Sequence, residues 1–275
     1  MDLSKVALVH DWLTIPGGAE LVLEEIYRLF PGTVFAPQYN PKRFPAFADA
    51  HVKSSWVSSL PLSKTRHYLY APILADVYSR VDVSGYELIL SDSHTFAHGV
   101  RKREGALHIC YYHTPARSLW YPEIDNRAGS DPLRRLIANR LRRLDLAASK
   151  GPDLLLANSE TTASRILETY GRKVDKVIYP PVRTKTWDDV RRVSDDEGFL
   201  AYGRLVPHKR FDLAIDAAKI TGVKLNIVGA GPLRGKLEER AAGATNVIFH
   251  GRLADEQLKA SVSYTHLTLP TICSV

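Results

Sequence analysis

Phe199-Leu200-Ala201-Tyr202 is followed at once by Gly203-Arg204-Leu205-Val206-Pro207-His208-Lys209-Arg210, and then by an amphipathic stretch over residues 212–219. A short apolar run, a glycine-led loop and a helix-length segment, in that order, predict strand, loop and helix. The pattern repeats downstream, with strands expected at 224–228 and 246–249 and a helix at 233–242. This βαβαβ series predicts a parallel sheet with right-handed crossovers, the doubly wound arrangement in which ligands bind beyond the carboxyl ends of the strands.

Working outward, the same alternation fills the first part of the chain. Strands are expected at 6–9, 88–90, 107–111 and 154–157, and a helix at 20–30 is stopped by Pro31-Gly32. A second helix over 133–148 places Leu133, Leu136, Ile137, Leu141 and Leu144 on one apolar stripe. Residues 35–62 have no clear period and predict an excursion from the sheet. At Tyr179-Pro180-Pro181-Val182 the alternation stops, and the charged segment 183–197 reads as a connection between domains. The fold class is therefore α/β with two units, residues 1–180 and 181–261. After Ala260 the helical pattern gives way to Val262-Ser263-Tyr264-Thr265-His266-Leu267-Thr268-Leu269-Pro270-Thr271, crowded with β-branched residues. This decapeptide resembles a translated sequencing adaptor, so 262–275 is expected to be a non-native tail on a truncated product.

Composition narrows the classes. With 275 residues at about 150 per domain, just under two domains are expected. The 45% hydrophobic and 24% charged residues exclude disordered, collagen-like and coiled-coil chains. The net charge of +7 calls for an anionic partner, and nucleic acid, an acidic membrane or a phosphorylated small molecule all qualify. No run approaches the roughly 18 apolar residues of a spanning helix. Cys110 and Cys273 make no disulfide framework, which predicts a reducing, cytoplasmic setting.

Several constellations carry chemistry. Gly17-Gly18-Ala19-Glu20 lies between the first strand and helix, where a ligand can approach the backbone and the helix N-terminus favours a phosphate; a tight turn explains it equally well. Arg204 and Lys209 follow a strand and suit one diphosphate, through a guanidinium fork and a compact ammonium. Gly229-Ala230-Gly231-Pro232 misses the dinucleotide fingerprint, because its third glycine, Gly235, comes one place late. It also fails as a Walker loop, which leaves a phosphate-compatible or close-packing turn and no support for a nicotinamide-dependent dehydrogenase. His113, in Tyr111-Tyr112-His113-Thr114-Pro115, leaves a strand end and can orient a substrate hydroxyl. His94 and His98 near Asp92 have metal-ligand spacing without a third ligand. Arg134, Arg135, Arg140, Arg142 and Arg143 form a basic helix face, read either as solvated or as a contact for anionic lipid. No recognition module accompanies the charge, so nucleic acid is not expected as a partner.

Taken in order, His10-Asp11-Trp12 with Gly17-Gly18-Ala19-Glu20, Tyr112-His113-Thr114-Pro115 with Arg117 and Trp120, Ala157-Asn158-Ser159, Tyr179-Pro180-Pro181-Val182, Gly203-Arg204 with Lys209, Val228 to Pro232 and Asn246 to Leu253 resemble the retaining GT-B glycosyltransferases of family 4, particularly the mannosyltransferase-like branch that builds bacterial surface polysaccharides. The resemblance implies two Rossmann-like domains facing a cleft, the second incomplete here. It implies transfer of a hexose, with mannose from GDP-mannose as the family-level expectation, from a nucleotide-diphosphate sugar to a saccharide or lipid-linked acceptor. No metal or other cofactor is implied. Arg204 and Lys209 would stabilise the departing diphosphate and His113 would contact the transferring sugar. Gly17, Gly18, Gly229, Gly231, Arg252 and Leu253 would line the donor, the last two meeting the nucleotide base. A pair of glutamates that the family places further along is not present. A catalytically inactive fragment that binds nucleotide or lipid is the alternative expectation, and peripheral contact with the inner face of an anionic membrane is a further one.

Overall fold

The computed structural model describes residues 3–122, 132–182, 184, 198–254, 257–258 and 267–268. The chain divides into two compact units, Met1–Pro181 and Val182–Ser274.

In the first unit, strands β1 (Val6–His10), β2 (Thr33–Phe35), β3 (Val52–Lys53), β4 (Leu88–Ser93), β5 (Leu107–Tyr112), β6 (Leu154–Ala157) and β7 (Lys176–Val177) form one parallel sheet. Their order is β3-β2-β1-β4-β5-β6-β7, so the winding reverses between β1 and β4. Every residue of β1 is buried, as a central parallel strand covered on both faces requires. Because alternate side chains point to opposite faces, Ala7 and Val9 join one core and Val6 and Leu8 the other. The first core is closed by α2 (Ala71–Tyr78) and α4 (Pro132–Ala148), through Leu74, Val77, Tyr78, Ala138 and Leu141. The second is closed by Leu23 of α1 (Gly18–Leu29) together with Phe44 and Phe47. Each fully buried Leu, Val or Phe among these contributes roughly 1.5–3 kcal/mol.

Three sequence expectations change. Residues 35–62 are more than an excursion: they supply β3 at the sheet edge and two fully buried phenylalanines from short 3₁₀ turns. Turns of that kind have no 3.6 or 2.0 period to detect. On α4, Leu141 is buried and Ile137 packs against the core as expected, whereas Leu136 is 65% exposed and Ala138 and Asp145 complete the buried stripe; the Leu133 side chain lies outside the described residues. The basic face of α4 is partly spent inside the protein. Arg140 grips both oxygens of Asp76, and Arg142 donates to the Leu119 carbonyl and lies over the Trp120 ring. The side chain of Arg134 lies outside the described residues, whereas Arg135 and Arg143 stay exposed.

The second unit carries β8 (Gly198–Tyr202), β9 (Lys224–Val228) and β10 (Val247–Gly251), all parallel, with α6 (Phe211–Thr221) and α7 (Arg234–Arg240) between them. Leu205, Phe211, Ile215, Leu225, Ile227 and Leu237 form its core. Within the segment expected to be foreign, Leu267–Thr268 form β11, parallel to Phe199 and Leu200, in sheet order β10-β9-β8-β11. The rest of that segment lies outside the described residues. Among the described residues no helix is long and apolar enough to cross a membrane.

Candidate active site

The reversal of strand order brings His10, last residue of β1, into register beside Asp92 of β4. Such a switch point opens a crevice beyond the carboxyl ends of the strands. His113 follows β5, its amide donating to the Ser93 carbonyl, and comes to the same place. Asp92 is fully buried and uses both oxygens. His113 Nε2 lies 2.6 Å from Oδ1, and His10 Nδ1 lies 2.9 Å from Oδ2 without hydrogen-bond alignment, an ion contact rather than a directed bond. On its other side His10 Nε2 faces Glu20 Oε1 at 3.7 Å.

The charges in this row follow from their neighbours. Burial opposes a charge on His10, yet Asp92 and Glu20 outweigh it and raise the imidazole to about 10. Burial likewise pushes the two carboxyls up, and the imidazoles beside them bring Asp92 and Glu20 below the ordinary carboxylate range. Asp92 is therefore ionised and can only accept, so His113 donates from Nε2. The other ring nitrogen of His113, Nδ1, has no hydrogen-bond partner among the described residues and is the atom left for a ligand.

The surrounding residues hold this row in place. The Asp11 carboxylate accepts from four successive amides, those of His94, Thr95, Phe96 and Ala97, at 2.6–2.9 Å. Burial would raise its pKa, but His94 and these amides depress it far below the usual carboxylate range. Trp12 sets its ring edge-on to His94 at 4.5 Å. The Tyr78 hydroxyl ties α2 to the carbonyls of His10 and Asp11. Ser159 caps α5 (Glu160–Tyr170), a helix that sequence periodicity did not reveal, and Thr162 in its first turn donates to the His113 carbonyl at 2.9 Å. His94 and His98 serve different carboxylates, Asp11 and Asp145, and among the described residues no three potential ligands gather around one point. Asp145 also accepts from Trp120 Nε1 and the Tyr170 hydroxyl, which anchors α3 (Arg117–Trp120) directly after the His113 loop.

Gly17 and Gly18 separate. A Cβ on Gly17 would come 2.8 Å from Glu20 Oε2, so this glycine makes room for the carboxylate that pairs with His10. Around Gly18 a Cβ would meet nothing within 4 Å, which leaves space on that side.

In the second unit the expected donor-site residues all follow carboxyl ends of strands. Arg204 and Lys209 lie on the loop after β8, Gly229 and Gly231 after β9, and Arg252 and Leu253 after β10. Arg204 is exposed and its guanidinium has no partner among the described residues. Gly229 and Gly231 are packing glycines. A Cβ on Gly229 would lie 1.9 Å from the Gly203 carbonyl oxygen, and one on Gly231 would lie 2.4 Å from that of Leu205. Their place beside the ligand edge comes from the neighbouring loop, which fits the close-packing half of the sequence reading.

Two parallel α/β sheets with ligand loops at their carboxyl edges are the architecture of the GT-B glycosyltransferase fold, which solved glycosyltransferase structures share with this chain. A model of Glycosyltransferase Family 4 matches residues 16–186, and one of glycosyl transferases group 1 matches 183–270. The chain belongs to glycosyltransferase family 4. D-rhamnosyltransferase WbpZ of Pseudomonas aeruginosa is 35% identical over 100 residues, which are 36% of this chain and 26% of that protein. The match thus spans about a quarter of that relative's length. Among solved structures, Anabaena HepE in complex with UDP and glucose shares the fold at a TM-score of 0.61 and 18% identity, over 94% of this chain and 72% of that one. WaaG, a glycosyltransferase involved in lipopolysaccharide biosynthesis, does so at 0.53 and 14%, over 96% and 73%.

Proposed function

We propose that this chain transfers a hexose from a nucleotide-diphosphate sugar to a saccharide or lipid-linked acceptor, with retention at the anomeric carbon and no metal. The observation that carries the reading is His113, fixed by Asp92 at the switch point of the first sheet with Nδ1 left for a ligand. An imidazole nitrogen held this way orients a sugar hydroxyl by one directed hydrogen bond. Arg204, without a partner among the described residues, and Lys209 on the same loop beyond β8 suit a diphosphate whose negative charge grows as its bond to the anomeric carbon breaks. Gly18, with open space where a side chain would stand, admits a ligand close to the backbone. Arg252 and Leu253 are assigned to the nucleotide base, and GDP-mannose is the first donor to test.

Radiolabelled GDP-mannose, GDP-rhamnose, UDP-glucose and UDP-galactose, each offered with a panel of oligosaccharide and lipid-linked acceptors, test the reading. The expected result is transfer from one donor, unaffected by EDTA, giving a product whose anomeric configuration by NMR matches the donor. Arg204→Ala should abolish it. If the chain binds no nucleotide sugar and transfers from none of them, the reading is wrong; if EDTA stops transfer, the metal-independent part is.

A further inference from the structure

A second depression opens in the first unit, at the carboxyl ends of β2 and β3. It encloses about 850 Å³. Phe35, Ile73, Val77 and Val81 make an apolar floor, and Trp56, Lys53 and Arg80 stand around it. Its walls are built in advance. The Ala36 amide donates to the Lys53 carbonyl, and Ser55 donates to Pro37 from both its amide and its hydroxyl. On the far side Arg140 of α4 clamps Asp76 of α2.

Three side chains around this cavity keep binding surface that the fold does not use up. Trp56 is held by the Ser55 cap on a 3₁₀ turn, yet it remains 63% exposed. The Arg80 guanidinium has no partner among the described residues. The Lys53 ammonium leans over the Phe35 and Tyr86 rings and makes no ion pair with a carboxylate among the described residues, Asp82 being the acid near enough to feel its charge. The lining sets three cations, Lys53, Arg80 and Arg140, against two carboxylates; Asp76 is paired with Arg140, and Asp82 accepts from Ser84 and stays ionised near Lys53, so the balance facing the space is positive by one charge, with Arg80 the cation that has no carboxylate among the described residues. An exposed indole beside an apolar floor takes the flat face of a pyranose ring, and a guanidinium takes a carboxylate or phosphate in two parallel bonds.

We infer that this cavity binds an anionic saccharide, a sugar ring bearing a carboxylate or phosphate, with the ring on Trp56 and the acid group between Arg80 and Lys53. The inference deepens the transfer reading by naming the acceptor's chemical class. The cavity shares α2 with the His113 row. Tyr78 on that helix holds the His10 turn, while Asp76 and Val77 of the helix and Arg80 just beyond its end line the cavity.

The test is a titration of ¹⁵N-labelled protein followed at the Trp56 indole N–H, assigned with Trp56→Phe. Trigalacturonate supplies the carboxylate and glucose 6-phosphate the phosphate; maltotriose and inorganic phosphate are the comparisons. At least one charged sugar should shift the Trp56 resonance at about tenfold lower concentration than maltotriose, and Arg80→Gln should erase that advantage. Which acid binds tighter identifies the group. The inference is overturned if no sugar moves the Trp56 signal, if Arg80→Gln leaves the titrations unchanged, or if inorganic phosphate alone reproduces the shift. None of these readings depends on turnover, so a chain inert towards every donor would defeat the transfer reading and leave this result standing.

Discussion

Asp92 stands between two imidazoles: Oδ1 accepts from His113 Nε2 at 2.6 Å, and Oδ2 faces His10 Nδ1 at 2.9 Å. One buried carboxylate thus balances the charge on His10 and fixes which nitrogen of His113 is presented outward. The two functions have different consequences when the carboxylate is neutralised.

Asp92→Asn should lower transfer by at least roughly a hundredfold, because the carboxylate that fixes the His113 tautomer is lost, a change that costs about ten-thousandfold where the imidazole is the general base. It should also cost about 3 kcal/mol of stability, because the imidazolium of His10 is left buried with only Glu20 against it. Turnover and urea unfolding on the same variant separate these effects. Restoring the stability with His10→Gln in the Asp92→Asn background should not restore turnover. If it does, His113 needs no orientation.

Stability of the first unit should peak near pH 6.5. The folded state keeps the His10 proton to about pH 10 while the unfolded chain releases it around 6.5, so stability declines as pH rises between those values. His108 behaves oppositely. Burial and the nearby His98 hold it down to about 3, so the unfolded chain gains a proton first as pH falls from 6.5. The depressed Asp92 and Glu20 steepen the fall below about pH 4. Melting temperature against pH should show both limbs, and His108→Gln should flatten the stretch between pH 4 and 6.5.

Gly17→Ala and Gly18→Ala should differ. The first forces the Glu20 carboxylate away from the Gly17 backbone and so weakens its hold on His10, lowering the melting temperature; the second, at the first position of α1, meets no atom and should leave it unchanged or slightly raised. Combining Gly17→Ala with Glu20→Gln should destabilise less than the sum of the two changes, since both act on the same pair.

Gly229→Ala should unfold the second unit or cost it several kcal/mol, on the order of 3. Its φ of +146° disfavours any side chain, and the Gly203 carbonyl occupies the position of the new methyl. Gly235→Ala, inside α7 with open space around it, should instead stabilise by about 0.5–1 kcal/mol. Urea unfolding of the two variants gives the comparison.

The α/β class and the two βαβ series were legible because strands and helices carry their own periods, and residues 154–157 and 224–228 emerge with the bounds read from sequence. Helix α5 and strand β3 were not: α5 is marked mainly by its Ser159 cap, and β3 is only two residues long. His113 in the first unit and Arg204 in the second could be picked out because each follows a strand. Asp92 and Glu20 could not, since a carboxylate gains its meaning only from what faces it.

The amino-acid sequence by itself determined the order of strands and helices, the glycine-led loops at strand ends and the family motifs, because all of these are local and periodic. Only the tertiary structure decided that His10, Asp92 and His113 meet. Parallel register at the reversal between β1 and β4 places residues far apart in the chain side by side at the sheet's carboxyl edge. Burial there removes the water that would screen them, so each group's charge is set by its neighbours across the strands.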